Sequence, residues 1–108
     1  MAKTHTTTAH MTVRIIVNDR GTPVGKLADA ELHFGGGALA GLKLIGFGIW
    51  DRRDGGRNVT FPARHYVING ERRSFALLRP IVDKESQDGV RDAILAAYDG
   101  VATSTTEP

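Results

Sequence analysis

Apolar and polar residues alternate over several short segments of this chain, a pattern that predicts β-strands. Residues 11–18 are rich in β-branched side chains, and three of them fall on one face: Val13, Ile15 and Val17. Residues 26–34 tolerate a helix, but they alternate mostly with period two between close turn signals. We therefore expect a strand there too, with one apolar face made of Ala28, Ala30, Leu32 and Phe34.

A third strand is predicted at residues 42–50, an almost wholly apolar run that suits the centre of a sheet. Strict alternation places five residues on one face: Leu42, Leu44, Gly46, Gly48 and Trp50. Because glycine has no side chain, Gly46 and Gly48 leave room for another element to pack closely. Trp50 and Phe61 are expected in the core.

Residues 58–80 carry the strongest local signal, that of a β-hairpin. The first predicted strand covers residues 58–64 and contains Pro62, and the second covers residues 71–79 and ends at Pro80. Asn69-Gly70 lies between them, and both residues tolerate the positive φ of a hairpin turn.

Helical spacing replaces the alternation after Pro80. Four residues recur on one face of a helix predicted over residues 90–99: Val90, Ile94, Ala97 and Tyr98. The N-terminal cap is Asp83 or Ser86, and Gly100 stands where a C-terminal glycine belongs.

These elements predict an α+β fold, in which an antiparallel sheet of about five strands is followed by a C-terminal helix. A single domain is expected over residues 11–100, between disordered tails at residues 1–10 and 101–108. Because one helix hides only part of such a sheet, we expect a dimer to bury the remaining apolar surface.

Composition narrows the kinds of site. The 108 residues include no cysteine, which excludes disulfides, thiol chemistry and zinc sites built on cysteine. The four histidines show no ligand spacing, and neither a nucleophile motif nor a phosphate-binding loop is present. A glycine-rich segment at residues 35–40 precedes a strand and not the helix that a dinucleotide site needs. We expect no catalytic residue, metal, cofactor or small-molecule substrate.

Location follows from two further features. No apolar run approaches the roughly 20 residues of a membrane span. The first ten residues lack the apolar segment of a secretory signal. The expected location is the cytoplasm, with no membrane partner.

Charge is distributed unevenly along the chain, although the formal net charge is only +2. Residues 50–80 contain seven arginines against three acids, whereas residues 81–108 contain six acids against two bases. Two interpretations stay open: the arginines bind phosphate groups, or they pair with the acidic helix or an acidic protein partner.

The order of these features resembles the SpoVG family (stage V sporulation protein G and its relatives). The resemblance rests on Phe61-Pro62-Ala63-Arg64, on Gly70-Glu71, on Pro80-Ile81 and on the helix sequence RDAILAAY at residues 91–98. It extends from about Val13 to Gly100. It implies a β-sheet followed by a C-terminal helix, a homodimer formed through the sheet, and a bacterial regulator that binds DNA and RNA.

The resemblance also implies which residues contact nucleic acid. Basic residues of the proline-bearing strand and of the segment that follows are transferred as Arg64, His65, Arg72, Arg73 and Arg79. The sequence adds Tyr66, expected in the turn, as a residue on which bases stack, and the Arg52-Arg53 loop as an assisting contact. The alternative is a protein-interaction or structural module that uses the same fold without nucleic-acid binding.

Overall fold

The computed structural model of the chain describes residues 10–105, with side chains described for residues 10–101. The predicted tail at residues 1–10 lies outside the described part except for its last residue, as do residues 106–108. The elements are β1 (Met11–Val17), β2 (Lys26–Phe34), a 3₁₀ turn (Gly37–Leu39), β3 (Lys43–Asp51), β4 (Arg57–Thr60), β5 (Ala63–Ile68), β6 (Glu71–Ala76) and the helix α1 (Glu85–Thr105).

The architecture is α+β, as the sequence predicts. Strands β1 to β4 form an antiparallel sheet in chain order, and β5 and β6 form a separate antiparallel hairpin. The described residues thus form six strands in two sheets, where about five strands in one sheet were expected. Helix α1 follows the strands and packs against β1 and β4.

The core lies between one face of the four-stranded sheet and α1. The alternation predicted for β2 is confirmed, because Ala28, Ala30 and Leu32 are all buried. From the helix, Ile94 is fully buried against these strands. The remaining buried residues of the core are Phe47, Ile49 and Val59.

A β-bulge in β3 breaks the predicted alternation. Ala30 pairs with Phe47, but Leu32 pairs with Leu44, so β3 has one more residue than β2 in this interval. The extra residue turns Leu44 toward the core, and its predicted place on the Gly46–Trp50 face is wrong.

Of the two aromatic residues expected in the core, one is there. Phe61 meets Phe47 edge to face, with ring centroids 5.2 Å apart. Trp50 instead lies half-buried on the other face of the sheet, where its Nε1–H donates a hydrogen bond of 3.0 Å to Thr60 Oγ1.

The strand predicted at residues 58–64 is divided at Phe61-Pro62. Strand β4 ends at Thr60, and β5 begins at Ala63 in the other sheet. Proline has no N–H to donate to a ladder, so the pairing with β3 stops there. Buried Pro62 packs against Gly46, which confirms that a glycine of β3 makes room for a close neighbour.

We expect Gly46→Ala to lower the free energy of unfolding by about 2–4 kcal/mol, as measured by urea denaturation. Gly46 has φ of +110°, and an added Cβ there lies 2.8 Å from Pro62 Cβ, so backbone strain and overpacking add. Gly55→Ala is the matched control, since φ is +90° there but no atom lies within 4 Å. An equal loss in both variants would show that the contact with Pro62 contributes nothing.

The sequence predicts the N-terminal cap of helix α1 correctly but not where the helix ends. Of the two predicted caps, Asp83 is the one in place, because its Oδ1 accepts a hydrogen bond of 3.1 Å from the Glu85 N–H. The predicted end at Gly100 is wrong, since the helix continues to Thr105, and so is the predicted tail up to that residue. Glycine permits the left-handed conformation that stops a helix but does not impose it, and Gly100 lacks positive φ.

Candidate nucleic-acid interface

The β5–β6 hairpin turns at Asn69-Gly70, as predicted. Asn69 has φ of 52° and Gly70 has φ of 80°, the two positive values that a two-residue turn of this kind needs. Ile68 and Glu71 pair directly on either side of the turn. This turn fixes the register of the whole hairpin, and so it decides which side chains share a face.

The hairpin is exposed on both faces. Twelve consecutive residues, 64–75, are all exposed, whereas each strand of the main sheet has some side chains half-buried or buried. At its base the Leu77 N–H donates a hydrogen bond of 2.9 Å to the Pro62 carbonyl, where the chain leaves the core. A two-stranded hairpin without a covered face is only marginally stable in water by itself.

Cross-strand pairs divide the hairpin into two faces, because residues directly opposite each other point to the same side. The first, here called the aromatic face, carries the pairs Arg64–Phe75, Tyr66–Arg73 and Ile68–Glu71. The second, called the opposite face, carries Ala63–Ala76, His65–Ser74 and Val67–Arg72. Arg72 and Arg73 are neighbours in the sequence, but they therefore project from opposite sides.

Tyr66 lies within β5 and not in the turn, so that part of the prediction is wrong. Its ring contacts Phe75 of β6, with centroids 5.8 Å apart and an interplanar angle of 64°. Sequence reasoning missed Phe75 as a site residue. Counting back from the Asn69-Gly70 turn in register would have placed Phe75 beside Tyr66, since the turn fixes the pairing.

Few acids accompany the arginines of the hairpin. Arg73 donates a hydrogen bond of 2.7 Å to Glu71, but both side chains are more than half exposed, and such pairs contribute little. Within residues 10–101, no ion pair involves Arg64, Arg72 or Arg79. Within residues 10–101, no acid at the start of α1 forms an ion pair with an arginine of the hairpin. Two of these acids, Asp88 and Asp92, pair instead with Arg91 of the same helix.

Arg57 has a structural role between β4 and the helix. Its guanidinium donates a hydrogen bond to the Asp99 carboxylate and lies 5.4 Å from the centroid of the Tyr98 ring. The hydrogen bond to Asp99 raises the pKa of the Arg57 side chain. Arg57 is thus the arginine of residues 50–80 that pairs with the helix.

The Arg52-Arg53 loop connects β3 to β4. Arg52 donates a hydrogen bond of 2.8 Å to Asp54, whose other carboxylate oxygen accepts one of 2.9 Å from the Gly56 N–H. The Gly56 N–H and the Arg52 charge hold the pKa of Asp54 below its ordinary value. Arg53 is exposed. This loop lies before the first residue of β4, and the hairpin follows the last one. The four residues of β4 separate the two by about 13 Å.

Arg79 lies in the segment between β6 and α1. It is exposed, and it lines a groove with Leu78, Pro80, Ser86, Gln87 and Val90. The predicted set of site residues is therefore not one cluster: the structure joins Arg64, Tyr66 and Arg73 on one face, His65 and Arg72 on the other, and attaches Arg52 and Arg53 at a different end of β4.

Two other kinds of feature are absent from the part of the chain that the structure describes. No group of three or more His, Asp or Glu side chains is arranged to hold a metal ion. No described helix is both long enough and apolar enough to cross a membrane.

Comparison of the chain with protein-family models, with curated proteins and with solved structures finds no match. The resemblance to the SpoVG family therefore rests on the residues quoted above.

Proposed function

We propose that this chain is a small bacterial regulatory protein that binds DNA or RNA through the β5–β6 hairpin. The observation that carries the proposal is a hairpin with twelve consecutive exposed residues, which include three arginines and only one acidic residue. The proposed activity is binding and not catalysis, and the proposed location is the cytoplasm.

Arginine suits this role because its planar, permanently charged guanidinium donates paired hydrogen bonds to phosphate oxygens. A two-stranded ribbon is narrow enough to enter the major groove of duplex DNA. With Arg72 on one side and Arg64 and Arg73 on the other, such a ribbon reaches phosphates in either direction. His65 lies on the face of Arg72, and Arg52, Arg53 and Arg79 are assigned assisting contacts outside the hairpin.

The proposed active form is a homodimer. Ile81 is 97% exposed and Val82 is 88% exposed, an unusual exposure for two adjacent aliphatic residues. They directly follow Pro80, which lines a groove together with Leu78 and Val90. In a dimer with a twofold axis, the protruding pair of each copy can pack into the groove of the other, so a single interface buries both features.

A binding titration tests the proposal. Fluorescence anisotropy with a random DNA duplex, a DNA single strand and an RNA, each at two salt concentrations, is expected to show binding that weakens steeply with salt. Each neutralised phosphate releases counterions, so the logarithm of the affinity falls linearly with the logarithm of the salt concentration. Light scattering is expected to give twice the mass of the chain. The absence of binding to all three at low salt would contradict the proposal.

A protein-interaction module is the second candidate. Four large apolar side chains of strands β5 and β6 are 37–64% exposed: Tyr66, Val67, Ile68 and Phe75. Exposed apolar surface of this kind also marks protein contacts. Salt separates an apolar protein contact from phosphate binding, because an apolar contact strengthens or stays constant as the salt concentration rises, whereas binding to phosphates weakens.

A further inference from the structure

The aromatic face of the hairpin has a regular arrangement of rings and positive charges. Phe75 lies directly across from Arg64, and Tyr66 lies directly across from Arg73. The two pairs are two residues apart along each strand, or about 7 Å. Each of the two aromatic residues therefore has an arginine directly opposite it on the neighbouring strand.

We propose that the aromatic face binds single-stranded nucleic acid, with bases stacked on Tyr66 and Phe75 and phosphates held by Arg64 and Arg73. This inference rests on the proposed function and narrows it to a substrate class and a face. Rings that stack with bases beside a positively charged surface are the recurrent means of binding unpaired strands.

The rings favour a single strand over a duplex. A base inside a duplex has both of its faces covered by its neighbours, whereas an unpaired base offers a free face. Tyr66 and Phe75 meet edge to face and do not stack on each other, and they are 37% and 40% exposed. The remaining apolar area gives an unpaired base a surface that duplex phosphates do not use.

The opposite face lacks this combination. Its six residues are two alanines, a histidine, a valine, an arginine and a serine, with no phenylalanine, tyrosine or tryptophan. Val67 is 64% exposed there, immediately next to Tyr66 in β5. The two neighbours thus provide a matched comparison, one on each face of the same strand.

Glu71 limits the charge of the aromatic face. It accepts the hydrogen bond from Arg73 and lies at the turn end of the face, opposite Ile68. A phosphate that binds Arg73 competes with this carboxylate. Glu71→Gln is therefore expected to raise the affinity for a single strand about twofold to fivefold, since weak exposed pairs contribute up to about 1 kcal/mol. An unchanged or lower affinity would count against a phosphate at Arg73.

The decisive test compares Tyr66→Ala and Tyr66→Leu with Val67→Ala. Anisotropy titrations use oligo-dT, oligo-rU and a random duplex. Both Tyr66 variants are expected to bind the two single strands about 5- to 150-fold more weakly, since stacking contributes roughly 1–3 kcal/mol per base. Leucine keeps the apolar volume of the site but has no ring, so a loss in Tyr66→Leu reports stacking. Duplex affinity is expected to change less than about twofold, and Val67→Ala is expected to bind all three probes normally.

Each other outcome is informative. Salt-dependent duplex binding with single-strand affinities unaffected by Tyr66→Leu would overturn this inference and leave the proposed function standing. A failure of the wild-type chain to bind any probe would overturn both. If light scattering finds that Tyr66→Leu is monomeric while the wild type is dimeric, the aromatic face lies between two copies and the inference is wrong.

Discussion

Replacing Arg64, Arg72 and Arg73 together with alanine is expected to weaken nucleic-acid binding about 100-fold at low salt. For a duplex, log affinity falls with log salt, and this slope should become shallower by about 0.9 for each lost phosphate contact. All three side chains are exposed, and none of them contributes to the core, so the free energy of unfolding is expected to change by less than about 1 kcal/mol.

The control for this variant is a second triple with the same change of charge. Arg14, Arg20 and Arg91 lie in β1, in the following turn and in α1, outside the hairpin. Both triples remove three positive charges from a chain of formal net charge +2. An equal loss of affinity in the two triples would mean that binding follows net charge and not the hairpin. Full affinity in the hairpin triple would remove the hairpin from the interface.

Ile94→Ala is expected to have the largest effect on stability, about 2–5 kcal/mol. Ile94 is 0% exposed and is the one residue of α1 among the fully buried side chains of the described core. Domains of this size have a total stability of roughly 5–15 kcal/mol, so this loss is a large part of it. Urea denaturation followed by circular dichroism measures the loss.

Val24→Ala is the control for the core variant, because Val24 is 90% exposed. Its expected effect is within about 0.5 kcal/mol. A loss for Ile94→Ala of the same small size would show that α1 does not depend on Ile94 for its contact with the sheet. Ile94→Val removes one methylene and is expected to cost about 0.5–1.5 kcal/mol, between the other two.

The two variants separate the hairpin from the body of the protein. The arginine triple is expected to change binding while the fold persists, since residues 64–75 lie outside the core. The core variant is expected to change stability, and binding only through the loss of folded protein. This separation is what an exposed hairpin attached to a packed sheet and helix allows.

Sequence reasoning succeeded where neighbouring residues decide the structure. Asn69-Gly70 forms the predicted turn because both residues tolerate positive φ without help from the rest of the chain. The apolar alternation of β2 needed only a sheet with one covered face. The cap at Asp83 likewise depends on a hydrogen bond two residues along the chain.

Sequence reasoning failed where residues far apart in the chain decide the structure. The bulge in β3 is a mismatch between two strands, and strict alternation along one strand misses it. The same limit explains why Phe75 was missed. Tyr66 and Phe75 are nine residues apart in the chain and meet because the turn sets the register, which also decides which arginines share their face.

The sequence by itself determined the α+β class, the turn at Asn69-Gly70 and the basic character of the segment around it, because these depend on local conformation and composition. The tertiary structure decided that Phe61-Pro62 separates this hairpin from the main sheet and leaves both of its faces exposed. It also decided that Tyr66 and Phe75 share one face with Arg64 and Arg73, since the pairing of two strands sets which residues stand opposite each other.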